Sequence, residues 1–290
     1  MRVSPQIEDI DKMARDVPAM PVVAQKVMTM LGDENTTNSM LADVLSTDQS
    51  LASRILQMAN SPFFGTRQKI ASISNAVFVL GHSALQSLVI TVCTKGLFKN
   101  PGLVEEKLWE HSLAVAVASK QIAGTTGLQE PDEAFVAGLL HDIGRTSYVV
   151  VYRDAHRDIA MRAYNDDLSM EEIGDLEKEE FGYDHSEVGS RVLKVWRLPD
   201  VYSRVARRHH ATSVDLIERE ENPQAIAIVG QANLIAGRLG LGRAAPDKRI
   251  DVIATPYNGM LGLDRDHVLK VVEATLTTFK ETRDQFGLPG

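Results

Sequence analysis

A chain of 290 residues, 44% hydrophobic and 24% charged, is long enough for one large domain or two smaller ones and has the make-up of a globular protein. Its formal net charge of -8 and pI of about 5.5 argue against a dominant nucleic-acid surface, where Lys and Arg must neutralise phosphates. The lone Cys93 cannot form an internal disulfide, no run reaches the roughly 18 consecutive apolar residues of a membrane span, and "MRVSPQIEDIDKM" lacks the apolar core of a signal peptide. A soluble, cytoplasmic protein with no membrane partner is the expectation.

Helical periodicity dominates the chain. In "LADVLSTDQSLASRILQMANS" the apolar residues Leu41, Val44, Leu45, Leu51, Ile55 and Met58 recur at three- and four-residue spacing. "SISNAVFVLGHSALQSLVITVCTKGLF" reads as two helices hinged near Gly81, with Cys93 as a buried small hydrophobe. The turn chemistry of "KNPGLVEE" ends this N-terminal helical part, taken as residues 1–100. A second part, residues 101–240, begins with "KLWEHSLAVAVASKQIAG", where Leu108, His111, Val115 and Ala118 share one stripe. "TSYVVVY" is the one β-branched run, and it reads as helix in preference to strand. Residues 164–184 form an acidic stretch that reads as one short acidic helix, with a plain solvated face as the alternative. Arg204, Arg207 and Arg208 read as the wet side of a helix rather than a phosphate-binding patch. "HSEVGSRVLKVWRL" and "NPQAIAIVGQANLIAG" are helical, and the loop "GRLGLGRAAPDKR" leads to a C-terminal extension, residues 241–290. The fold class is all-α.

The chain has eight histidines: His82, His111, His141, His156, His185, His209, His210 and His267. His111 faces inward, His141 and Asp142 close an apolar segment, and His209 and His210 end "VYSRVARRHH". His185 follows Asp184, which can cap a helix with Glu187 reaching back. Any one of these alone is best read as a satisfied core or surface histidine. Together, neutral imidazoles and a carboxylate suit Fe, Mn, Ni, Zn or Mg, and a carboxylate can bridge two ions. That reading requires the helices to converge, which spacing does not establish.

His111, "GLLHDIGR", "DHSEVG" and "RHH" resemble the HD superfamily of metal-dependent phosphohydrolases. "VPAMPVVAQKVMTML", "STDQSLASRILQMANSPFFG", "ISNAVFVLGHSALQSLVI" and "LWEHSLAVAVASKQIA" narrow the likeness to the HDOD family of bacterial signalling domains, over roughly residues 5 to 215. The resemblance implies an HD-like helical bundle with an N-terminal helical subdomain, and places His111, His141 and Asp142 as metal ligands. The later Asp of the HD pattern falls at Asn233, a neutral and weaker ligand, and HDOD proteins often lack catalytic residues. His185, His209 and His210 stand where the related HD-GYP phosphodiesterases add histidines for a second metal. Arg145 takes the place of a phosphate-contacting lysine; its alternative reading is a cation near a helix C-terminus. No Gly-Tyr-Pro follows His210.

The resemblance therefore implies a regulatory module that contacts a signalling protein, with a pocket able to hold one or two divalent metals. The alternative is a metal-dependent phosphohydrolase or phosphodiesterase acting on a cyclic or other nucleotide, with Asp142 and Arg145 as its catalytic residues. Nucleic acid is not an expected partner.

Overall fold

The structure, a computed structural model, describes residues 9–64, 69–165 and 168–288; Gly65, Asp166 and Asp167 of the quoted segments lie outside these. The described residues are helical and turn, with no strand. They fall into two compact units, residues 1–19 with 98–275 and residues 20–97 with 276–290.

The second unit contains α2 (Val22–Leu31), α3 (Asn38–Ser46), α4 (Gln49–Ala59) and α5 (Ile73–Lys95). Thr37 and Asp48 cap α3 and α4 by accepting the backbone N–H groups of Met40 and Leu51. Leu41, Leu45, Leu51 and Ile55, spaced as the periodicity predicts, are buried. α5 breaks at Gly81, whose φ of 74° and ψ of 179° are open to glycine at low cost. By length and mean hydropathy α5 is sufficient for a membrane span, a property that counting consecutive apolar residues does not register. Here its second half is buried, and the helix packs on α2, α3 and α4. Asn60 staples the chain by donating to the Ile70 carbonyl at 2.9 Å and accepting the Ile70 N–H at 2.8 Å. Phe286 returns to this unit, edge-on to Phe63, and its carbonyl accepts from Lys95 Nζ at 2.7 Å.

The first unit holds α1 (Ile10–Asp16), α6 (Leu103–Thr126), α7 (Pro131–Leu140), α8 (Ile143–Val151), α9 (Arg153–Asn165), α10 (Met170–Phe181), α11 (His185–Val195), α12 (Asp200–Arg208), α13 (Val214–Glu218), α14 (Pro223–Leu239) and α15 (Pro256–Leu261). α16 (Arg265–Thr282) begins in this unit and ends in the other. The segments thus group differently from a three-part division along the chain. α1 belongs here because Met13 and Ala14 are buried and Asp11 pairs with Arg191 of α11.

Two features position the site. α6 packs along α7 and α14, burying a nearly continuous run from Trp109 to Ser119. α8 crosses α11 where Gly144 meets Gly189; a Cβ on Gly144 would stand 1.9 Å from the His185 carbonyl oxygen. Only a glycine lets these two backbones approach so closely, and the approach brings His185 up to Asp142.

Candidate metal centre

His111 projects from α6 and is 7% exposed. His141 and Asp142 do not sit at a free helix end: His141 terminates α7, and Asp142 immediately precedes α8. Arg145 consequently lies in the first turn of α8, so the reading of it as a cation near a helix C-terminus is corrected. His185 opens α11 behind the expected capping box of Asp184 and Glu187. His209 and His210 follow the last residue of α12.

These side chains converge on Asp142, which is 2% exposed. Its Oδ2 lies 3.8 Å from His111 Nε2 and 3.5 Å from His141 Nε2. Its Oδ1 lies 3.4 Å from both His185 Nε2 and His209 Nε2. His210 Nε2 is 3.0 Å from His185 Nε2. Donor atoms of His111, His141 and Asp142 form one metal-competent group, and those of Asp142, His185, His209 and His210 form another. The shared residue offers one oxygen to each.

The far side of each ring fixes its tautomer. His141 Nδ1 donates to the Gly138 carbonyl at 2.7 Å, His209 Nδ1 to Ala206 at 2.9 Å and His111 Nδ1 to Leu241 at 3.3 Å. A carbonyl can only accept, so in the neutral rings each Nε2 carries a lone pair aimed at Asp142. Burial holds His111, His141 and His210 below the usual histidine range, hence neutral near pH 7. Burial alone would raise the Asp142 carboxyl, but Arg145 and the neighbouring histidines hold it well below the carboxylate range. Among the described residues, His111 Nε2, His141 Nε2, His209 Nε2 and Asp142 Oδ1 are buried without a hydrogen-bond partner. Acceptors facing acceptors in a dry site repel unless a cation lies among them, so this donor set fits a divalent metal.

Glu177 on α10 is the functional residue that sequence reasoning missed. It is 0% exposed, within the stretch read as a short acidic helix or a solvated face. Its Oε2 accepts from His185 Nδ1 at 2.5 Å and from the His185 backbone N–H at 2.9 Å, and its Oε1 lies 3.2 Å from Arg145 Nε. Burial would raise its carboxyl, but His185 and Arg145 pull it down to about 2. A carboxylate behind a ligating imidazole orients the ring and raises its basicity. The signal that could have found it is spacing: Ile173, Glu177 and Phe181 recur every four residues, on one face of α10. Tyr257 was also missed. Its hydroxyl donates to the Ala211 carbonyl at 2.8 Å and holds the turn that follows the vicinal histidines.

Arg145 Nη1 lies 3.1 Å from Asp142 Oδ2, so its guanidinium is fixed between two carboxylates. Asn233 is buried on α14, and among the described residues no hydrogen bond joins its amide to the cluster. Arg204, Arg207 and Arg208 pair with Glu221, Glu187 and Glu220, which neutralises the basic patch.

The chain is similar to known proteins in sequence and fold. The HDOD domain family matches residues 17–212. An HDOD domain protein of unknown function from Geobacter sulfurreducens superposes with a TM-score of 0.77 and 27% identity, covering 96% of this chain and 98% of that one. A candidate phosphohydrolase from Shewanella amazonensis SB2B shares the fold with a TM-score of 0.72 and 21% identity, again over 96% and 98% of the two chains. An uncharacterized protein from Treponema pallidum is 23% identical over 205 residues, 67% of this chain but only 38% of that relative's length. With two thirds of its length matched by one family model, this chain belongs to the HDOD family.

Proposed function

We propose that this chain is an HDOD signalling module that acts by binding a partner protein, and that its HD-like pocket holds divalent metal on Asp142 without turnover. The observation that carries the metal is the set of buried, unpartnered lone pairs on His111, His141, His209 and Asp142. Asp142 would present Oδ2 to the His111–His141 side and Oδ1 to the His185–His209–His210 side. Arg145 already neutralises Oδ2, which weakens the first side for a cation and leaves the second as the stronger site. The absence of turnover is supported by Asn233 in place of a carboxylate and by Arg145, whose guanidinium is fixed by Asp142 and Glu177. When bound, such ions supply Lewis acidity and the activation of a water.

A second reading, a metal-dependent phosphohydrolase acting on a nucleotide, is favoured by one observation: a cleft beside the cluster reaches His111 and Arg145. Metal analysis of protein purified without chelator, followed by hydrolysis assays on cyclic dinucleotides and mononucleotides, separates the two. The signalling reading expects bound transition metal that Asp142→Ala and His209→Ala remove, and no turnover with any added divalent ion. Metal-dependent turnover abolished by Asp142→Ala would establish the enzyme instead, and metal-free protein that takes up no ion would sink the metal site itself.

A further inference from the structure

The cleft beside the cluster has a volume of about 540 Å³ and is formed by α6, α9 and the loop after α14. Its size lies within the roughly 300–1,000 Å³ of small-molecule sites. Its lining combines two chemistries. Leu103, Val104, Leu108, Ile159, Met161 and Leu168 give it aliphatic surface, and two of these, Leu103 and Met161, stay 56% and 39% exposed. Interspersed with these are Lys107, Arg145, Arg243, Lys248 and Arg249, with Asp247 as the one carboxylate of the described lining. With Glu110, Asp142 and Glu177 behind them, these cations are offset to within about one charge, and Lys248 carries the excess. Glu110 engages Lys107, and Asp247 engages Arg243 and Arg249, whereas Lys248 makes no ion pair among the described residues. Among the described residues the lining contains no Phe, Tyr or Trp on which a nucleobase would stack.

A further polar group points the same way. His156 also lines the cleft, is 3% exposed, and has a buried Nδ1 with no hydrogen-bond partner among the described residues. Burial pushes it down to about 4, so near pH 7 it is a neutral donor-acceptor rather than a charge. Its ring is held parallel to Tyr148 at 5.9 Å. Cations, an unpartnered imidazole and aliphatic surface make an amphipathic receptacle.

We propose that this cleft binds a small anionic amphiphile, a phosphoryl compound with an aliphatic body, as an input ligand of the module. The anionic head meets Arg243, Lys248 and Arg249, and the aliphatic body lies along Val104, Leu108 and Ile159. This goes beyond the metal centre and does not require it, so the two can fail separately.

The test is isothermal titration of the full chain, as purified and again after chelator treatment, with decyl phosphate below its micelle concentration, inorganic phosphate and AMP. Decyl phosphate is expected to bind at least tenfold more tightly than either comparator, in both preparations. Lys248→Glu, on an exposed loop where it cannot disturb the core, is expected to weaken binding about fivefold. Ala160→Trp, which fills the cleft, should abolish it with the melting temperature kept. Equal affinity for inorganic phosphate, tighter binding of AMP, indifference to both substitutions, or no saturable binding would each overturn the proposal. Loss of binding on chelation alone would overturn its independence from the metal.

Discussion

The two units bury polar groups in opposite ways. In the unit built on α5, the buried hydroxyl of Thr91 donates to the Ser87 carbonyl of its own helix at 2.6 Å, and no ionised group enters its core. In the unit built on α6, Glu177, Arg145, Asp142 and four histidines from separate helices are buried together; His141 and His209 anchor one ring nitrogen in their own helices, but Glu177 serves His185 and Arg145, Leu241 serves His111, and Asp142 faces all four rings across elements. Local satisfaction makes a core tolerant, because the partner travels with the helix. Cross-element satisfaction makes a core specific, because losing one member strands the others.

The sharpest break of this contrast is Glu177→Leu. It leaves His185 without its carboxylate and Arg145 with Asp142 alone in a dry site, and a destabilisation of about 3–5 kcal/mol is expected by urea unfolding. Gly144→Ala forces a methyl into the His185 carbonyl, so α8 and α11 must separate. The expected loss is about 1–3 kcal/mol, with metal content falling in parallel. Chelation comes next. Removing a metal present at about 100 times its dissociation constant costs about 2.7 kcal/mol, read as a lower melting temperature that added metal restores; unchanged melting would deny the ion a structural role.

The smallest effect is expected in the other unit. Thr91→Val should change stability by less than about 1 kcal/mol, since it replaces an intrahelical hydroxyl by a methyl of like size. Cys93 sharpens the same point. Burial pushes its thiol up to about 12, so at pH 8 the native protein should not react with a thiol reagent, whereas unfolded protein should react at once. The sign for stability follows: the contribution is complete below the unfolded thiol's pKa of about 8.5 and is lost as pH rises toward 12.

Much of this was legible in the sequence because it is local. The Gly81 break, the Asp184 capping box, the helical reading of residues 146–152 and the inward face of His111 follow from neighbours within a few positions. Glu177 was hidden because its acidic surroundings resemble a solvated face, and only its four-residue spacing from Ile173 and Phe181 distinguishes it. Leu241 as the acceptor for His111, 130 residues distant, and Tyr257 as the brace behind His209 are contacts that no short window contains. The break between His141 and Asp142 was unreadable for another reason: the apolar pattern runs on through α8, and only backbone direction changes.

The exchange of terminal segments between the units has a consequence for biosynthesis. Asp11 must wait 180 residues for Arg191, and Lys95 waits 191 residues for Phe286. A chain emerging from the ribosome therefore exposes the apolar faces of α2 to α5 long before the segment carrying Phe286 exists. Closures of such range are slow to nucleate. Late docking of the two terminal segments, after the rest of each unit has packed, is the folding order that this threading predicts.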